Sequence, residues 1–173
     1  MRRRCSLATV TLKGQPINTS GTLPAVGSQA PDFRLTSADL ADKTLADFRG
    51  KKKLLNIFPS VDTGVCAKSV REFHQRAAAL PDTVVLNISA DLPFAHKRFC
   101  AAEGIAGVEA LSMMRSKDFA RAYGVLLEDG PMAGLAARAV VVLEAQDRVA
   151  YTELVPEIGQ EPNYEAALQA LRA

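Results

Sequence analysis

The stretch from Leu54 to Leu80 constrains the fold most, because it has the pattern of a strand, a loop and a helix in immediate succession. It opens with a short apolar run, residues 54–58, that ends at Pro59, which is the pattern of a buried strand. Beyond the loop, apolar positions are spaced by three and four residues, which predicts one buried stripe of a helix. These positions are Cys66, Val70, Phe73, Ala77 and Leu80.

Cys66 falls in the first turn of this predicted helix, just past the end of the strand. Asp62, Thr63 and Gly64 are residue types that begin helices. The unpaired N–H groups and the dipole of a helix start stabilise an anion, which for cysteine is the thiolate that attacks electrophiles. The position alone leaves a second interpretation open, because a free cysteine is commonly a small buried side chain of the core.

Similar patterns along the rest of the chain predict an α/β sandwich. Strands are predicted at 8–12, 15–18, 32–36, 83–89, 108–113, 139–144 and 148–155, and helices at 94–103, 116–123 and 163–172. The first two strands form a hairpin, and the strand–helix–strand unit around Cys66 is parallel. Sites in such sheets form at the carboxyl ends of the strands, which is where Cys66 is expected.

The composition fits one soluble domain, and we expect residues 1–7 to be frayed and residues 8–173 to form that domain. The chain has 173 residues, of which 48% are hydrophobic and 23% charged. Three of the 21 basic residues are Arg2, Arg3 and Arg4, which leaves 18 against 19 acidic residues. This near-neutral body gives no support to nucleic-acid binding, and no apolar run approaches the ~20 residues of a membrane helix.

The three cysteines, Cys5, Cys66 and Cys100, form no C-x-x-C pair and are poor material for a zinc site or a disulfide scaffold. Neither His74 nor His96 has ligand spacing, so we expect no metal and no cofactor. The apolar stretch after the arginines is too short for a signal peptide, which favours the cytoplasm. In that reducing compartment a disulfide would be transient and catalytic.

Pro59, Thr63 and Cys66 fit the spacing P-x-x-x-T-x-x-C. The run FPSVDTGVC resembles the peroxidatic-cysteine motif of the peroxiredoxins, and NIFPSVDTGVC is similar to that of their bacterial thiol peroxidase branch. Two further blocks, one ending at Cys100 and one around Arg138, extend the resemblance to nearly the whole chain. It implies a thioredoxin-like fold, with a mixed central sheet flanked by helices and an N-terminal β-hairpin.

The resemblance also implies the activity, a thioredoxin-dependent peroxidase of the atypical two-cysteine kind. Cys66 would attack hydrogen peroxide or an organic hydroperoxide, and Cys100 would resolve the resulting sulfenic acid as an intrachain disulfide. Thr63 and Arg138 would bond the sulfur and the peroxide oxygens, and Pro59 would shield the thiolate. Thioredoxin is the implied reductant, and the implied assembly is a homodimer that serves antioxidant defence.

A disulfide requires Cα atoms within about 7 Å of each other. Since Cys66 and Cys100 lie on different predicted helices, we expect the first turn around Cys66, and the segment around Cys100, to unwind before they join. Phe94, Leu126 and Leu127 are candidates to line an apolar approach that would favour organic hydroperoxides.

Simpler interpretations remain open for the individual residues. Cys100 fits plain helix core, Arg138 fits a surface arginine, and Thr63 fits a helix cap. Two other function classes also remain: a thiol–disulfide oxidoreductase or redox sensor, and a binding or holdase module with protonated, buried cysteines. Rapid peroxide-dependent oxidation of a reductant separates the first from a peroxidase, and the thiolate absorbance of Cys66 separates the second.

Overall fold

The computed structural model describes residues 7–173, which fold into nine strands, four α-helices and one 3-10 helix, Leu45–Phe48. The strands are β1 (Thr9–Leu12), β2 (Gln15–Asn18), β3 (Leu35–Ser37), β4 (Asp42–Lys43), β5 (Lys52–Ile57), β6 (Thr83–Ser89), β7 (Glu109–Ser112), β8 (Ala139–Leu143) and β9 (Val149–Leu154). The helices are α1 (Gly64–Ala77), α2 (Pro93–Glu103), α3 (Asp118–Ala122) and α4 (Tyr164–Arg172). The predictions for Cys5 and for residues 1–6 lie outside the described residues.

The predicted N-terminal hairpin is confirmed. Strands β1 and β2 pair antiparallel as a separate two-stranded sheet, with Val10 opposite Ile17. Both of these side chains are buried, whereas Lys13 and Gly14 turn the chain at positive φ, 50° and 79°. Two consecutive positive φ values are typical of the tight turn that matches the twist of a hairpin.

The predicted mixed sheet is also confirmed, as seven strands in the order β4-β3-β7-β6-β5-β8-β9. Strands β5, β6 and β7 run parallel to one another, and β8 runs antiparallel to β5 and to β9. The parallel unit β5-α1-β6 is therefore the one that the apolar pattern predicts. With helices beside this sheet and the hairpin before it, the architecture is thioredoxin-like.

Apolar side chains cover both faces of the sheet. On one face, Phe73 of α1 and Leu168 of α4 pack on Leu54 and Val140. The opposite face carries Leu55 and its neighbours, with α3 and the long loops packed over them. Burial on both faces explains why β8 is apolar throughout and why the apolar residues of β5 and β6 do not alternate with polar ones. None of the helices within residues 7–173 is both long and apolar enough to cross a bilayer.

Several predicted boundaries are wrong by a few residues, such as the end of α1 at Ala77 rather than Leu80, and hydrogen bonds explain two of them. The strand expected at 32–36 begins only at Leu35, because the Asp32 carboxylate accepts the N–H groups of Phe33 and Leu45 and holds that segment as a loop. The helix expected from Ser116 begins at Asp118, since the Ser116 hydroxyl accepts the Asp118 N–H before the first helical turn.

Candidate active site

The carboxyl edge of the central strands brings Cys66 and Arg138 together. Strand β5 ends at Ile57, and after a loop of six residues α1 begins at Gly64, with fully buried Cys66 in its first turn. Because β8 is antiparallel to β5 with Ala139 opposite Ile57, the residue that precedes β8 returns to the same edge. The register of the sheet thus joins two side chains that lie 72 positions apart in sequence.

Arg138 holds the sulfur of Cys66 directly. Its Nη2 donates to Cys66 Sγ at 3.3 Å and its Nε donates to the Ile158 carbonyl at 3.0 Å. The side chain is 2% exposed, so the interpretation as a surface arginine is wrong. Its Nη1 is buried and has no hydrogen-bond acceptor among residues 7–173. A permanent cation beside the sulfur stabilises a thiolate and keeps one donor for an additional oxygen atom.

Thr63 occupies the N-cap position of α1, but its side chain does not cap the helix. Its backbone is extended, with φ −102° and ψ 144°, and its hydroxyl donates back to the Ser60 carbonyl at 3.2 Å. Thr63 is therefore the N-cap residue by position, as predicted, and its carbonyl accepts the Ala67 N–H. Within the described chain its side chain bonds neither the helix N–H groups nor the Cys66 sulfur. Since its proton goes to Ser60, the hydroxyl keeps its lone pairs for a donor that enters from solvent.

An apolar opening of about 240 Å³ leads from solvent to Arg138. Pro59, Thr63 and Val65 line one side, and Leu12 of the hairpin and Met132 line another. The sequence prediction for this approach is wrong. Leu126 and Leu127 are buried in the core, and Phe94 is 62% exposed on α2.

Cys100 lies in the last full turn of α2, as predicted, and the structure leaves it and Cys66 as free thiols. It is half-buried, and this burial raises the pKa of its thiol. Its neighbours Phe99 and Ile105 pack against the small cluster that contains Cys66 and Phe58. The turn that carries Cys100 therefore borders the cluster that contains Cys66, although the thiols are not bonded.

Sequence reasoning missed a hydrogen-bond network beside this pocket, which we call the Asp91 network. The Asp91 carboxylate accepts hydrogen bonds from Ser60 Oγ at 2.7 Å, the Val61 N–H at 2.8 Å and Ser89 Oγ at 2.5 Å. His96, 1% exposed, places Nε2 3.0 Å from Ser89 Oγ. Burial lowers the pKa of His96, against the opposing effect of the Asp91 charge. A sequence signal existed in Ser89 and Asp91, two polar residues at the end of the largely apolar strand β6.

Comparison with known proteins assigns the chain to a family. The family model described as Redoxin matches residues 25–168. A thiol peroxidase of Mycobacterium bovis is 62% identical over 167 residues, which cover 96% of this chain and 100% of that protein. The chain belongs to the thiol peroxidases of the redoxin family. The thiol peroxidase of Mycobacterium tuberculosis matches with the same identity and coverage.

Solved structures of this family have the same fold. A peroxiredoxin-like protein from Aquifex aeolicus superposes with a TM-score of 0.90 at 36% identity, covering 96% of this chain and 97% of that one. A thiol peroxidase from Chromobacterium violaceum gives a TM-score of 0.88 at 25% identity, covering 95% of both chains. The predicted thiol peroxidase family and thioredoxin-like fold are confirmed, and the chain is a peroxidase of the peroxiredoxin type.

Proposed function

We propose that this thiol peroxidase reduces hydrogen peroxide and organic hydroperoxides through Cys66 and an intrachain Cys66–Cys100 disulfide that thioredoxin reduces. We further propose that it acts in the cytoplasm as a homodimer, in antioxidant defence and redox homeostasis. The observation that carries the proposal is the contact at 3.3 Å between Arg138 and the Cys66 sulfur, with Nη1 of the same guanidinium left for an oxygen atom.

The first step cleaves the peroxide. The Cys66 thiolate attacks the terminal oxygen, the S–O bond forms, and the O–O bond breaks with its electron pair on the leaving oxygen. The proton of the hydroperoxide moves to that oxygen, which leaves as an alcohol, or as water when hydrogen peroxide reacts. Arg138 stabilises the negative charge that develops on the oxygens, and the Thr63 hydroxyl can accept and return the moving proton. Cys66 becomes a sulfenate, which takes up a proton from solvent to give the sulfenic acid.

The second step closes the disulfide. The Cys100 sulfur attacks the sulfenic sulfur, the S–S bond forms, and the oxygen leaves as water with the protons of both groups. The two cysteines lie on different helices as free thiols, so α1 and the segment around Cys100 have to open for their Cα atoms to approach within about 7 Å. A dithiol reductant, which we take to be thioredoxin, then restores both thiols and becomes a disulfide itself.

The lining of the opening supports a broad peroxide range. Leu12, Val65 and Met132 offer apolar contacts to an alkyl group, and Arg138 lies at the inner end. Such a surface favours organic hydroperoxides through burial of their hydrocarbon part, whereas hydrogen peroxide gains nothing from it.

Stopped-flow reduction of hydrogen peroxide and cumene hydroperoxide, with thioredoxin supplied, tests the proposal on wild type, Cys66→Ser and Cys100→Ser. Wild type should turn over repeatedly, and Cys66→Ser should react with neither peroxide. Cys100→Ser should consume one equivalent of peroxide and then stop. Normal recycling by Cys100→Ser would show that Cys100 is not the resolving cysteine.

A further inference from the structure

The Asp91 network connects the two segments that carry the reactive cysteines. Ser60 and Val61 belong to the loop that leads into α1 and Cys66, residues 58–63, which we call the Cys66 loop. Asp91 itself follows β6 and leads into α2, which carries His96 and Cys100. The hydrogen bonds from Ser60 and Val61 to Asp91 therefore tie the loop before one cysteine helix to the start of the other.

The direction of each hydrogen bond in the network follows from the number of protons available. The Ser89 hydroxyl has one proton, which it donates to Asp91, so it accepts from the Asp91 N–H and from His96 Nε2. A neutral His96 protonated at Nε2 satisfies this arrangement. The Ser112 hydroxyl donates to the Asp91 carbonyl at 2.5 Å, which fixes the backbone of Asp91 to β7. Asp91 is thus bonded to Ser89 and Ser112 of the sheet, and Ser89 in turn bonds His96 of α2. The Cys66 loop is attached to this frame through the Asp91 carboxylate.

We propose that Asp91 is a positioning residue whose carboxylate sets how often the Cys66 loop opens toward Cys100. This inference rests on the proposed two-cysteine cycle. Hydrogen bonds to a charged carboxylate are stronger than neutral ones, and here they are partly shielded from water. Breaking them frees the loop and the first turn of α1, which is the movement that the disulfide step requires.

An exposed ion pair provides a matched comparison within the same two segments. Arg98 of α2 contacts Asp62 of the Cys66 loop at 3.1 Å, with side chains 68% and 64% exposed. Ion pairs of this kind contribute little, because water and salt screen them and two long side chains lose freedom. Asp62→Asn therefore removes an acidic link between the same loop and the same helix without touching the Asp91 network.

Hydrogen–deuterium exchange of the reduced proteins and stopped-flow kinetics test the proposal on wild type, Asp91→Asn, Ser60→Ala and Asp62→Asn. In Asp91→Asn, amide exchange in residues 59–66 should rise about tenfold, as expected for loss of one charge-assisted hydrogen bond. Disulfide formation after peroxide addition should accelerate by a similar factor, and sulfinic acid at high peroxide should decrease. Ser60→Ala should give a smaller effect in the same direction, and Asp62→Asn should match wild type.

Peptides from β8 and β9 provide the check on general destabilisation, and their exchange should not change. Equal exchange of residues 59–66 in wild type and Asp91→Asn would overturn the proposal, as would equal effects of Asp91→Asn and Asp62→Asn. If Asp91→Asn does not fold, Ser60→Ala decides in its place. Absence of a disulfide in wild type would refute the proposed cycle, while the exchange of the reduced proteins would still decide whether Asp91 holds the loop.

Discussion

Cys66 and Cys100 differ in what surrounds their sulfur atoms, with a helix start and a cation beside the first and a helix end around the second. Cys66 lies at the start of α1, with the Arg138 guanidinium 3.3 Å from its sulfur. Cys100 lies near the end of α2, where the negative end of the helix dipole disfavours an anion and burial raises the pKa of its thiol. Position on a helix and a cationic neighbour, more than burial, distinguish the proposed attacking thiol from the proposed resolving thiol.

Replacing each of the two thiols by a hydroxyl should give the largest change in peroxidase activity. Cys66→Ser should lose all peroxidase activity, because a serine hydroxyl at this site does not ionise near neutral pH. Cys100→Ser should keep the rate constant of the first peroxide reaction, since its side chain makes no bond to Cys66 in the reduced protein. Single-turnover stopped flow measures both, and a slow first reaction in Cys100→Ser would contradict the division of roles.

Removing the Arg138 cation should reduce the difference in peroxide reactivity between the two cysteines. Arg138→Ala should lower the rate constant for peroxide by about 10²–10³, the usual loss for a donor that stabilises developing charge. Arg138→Lys should lose less, because it keeps the charge but not the paired donors. Stopped flow and ultraviolet thiolate absorbance check both variants. Arg34→Ala, which removes an exposed arginine paired with Asp42, is the control and should react like wild type.

The pH dependence should separate the two chemical steps. Burial raises the pKa of Cys100, so the neutral thiol is the favoured form in the folded protein and its thiolate fraction grows with pH. Disulfide formation should therefore accelerate with pH, by up to about tenfold per unit below that pKa. Rapid-quench mass spectrometry of the sulfenic and disulfide forms follows this step. A rate of disulfide formation that falls as the pH rises from about 6 to about 8, a range below the ordinary thiol pKa of about 8.5, would contradict the expected trend.

The titration of His96 should have the smallest effect, and that effect should appear as the pH falls rather than as it rises. Burial lowers its pKa below the usual 6.5, so in acid the opened state binds a proton before the folded state does. The folded arrangement therefore loses stability as pH falls through and below 6.5, with Asp91 as the facing charge that moderates the loss. Once corrected for the slower intrinsic exchange at lower pH, amide exchange of residues 59–66 should rise severalfold on acidification. His96→Gln, which keeps a donor but does not titrate, should remove most of that rise.

Patterns within one segment predicted much of this molecule. Strand β6 has the bounds read from its apolar run, and Asn163 caps α4 by accepting the Ala166 N–H. Gly104 ends α2 with φ 65°, a conformation that glycine adopts without strain. These features depend on neighbours in sequence, so the sequence suffices to find them. The motif around Cys66 was found for the same reason.

Features that depend on packing between distant segments were not predictable. In α2 the buried face carries His96, while Phe94 points outward, because the hydrogen bond to Ser89 holds the histidine inside. Leu12 reaches the active-site opening only because the N-terminal hairpin packs beside it, and no local pattern indicates that contact.

The separation of 72 positions between Cys66 and Arg138 has a consequence for the newly made chain. Contacts between distant residues form late, because closing a long loop costs chain entropy before it yields stabilising contacts. Until β8 joins β5, the cysteine has no guanidinium beside it and remains an ordinary thiol. A nascent or partly folded polypeptide therefore gains its full sensitivity to oxidants only when the sheet that can complete the catalytic cycle has formed.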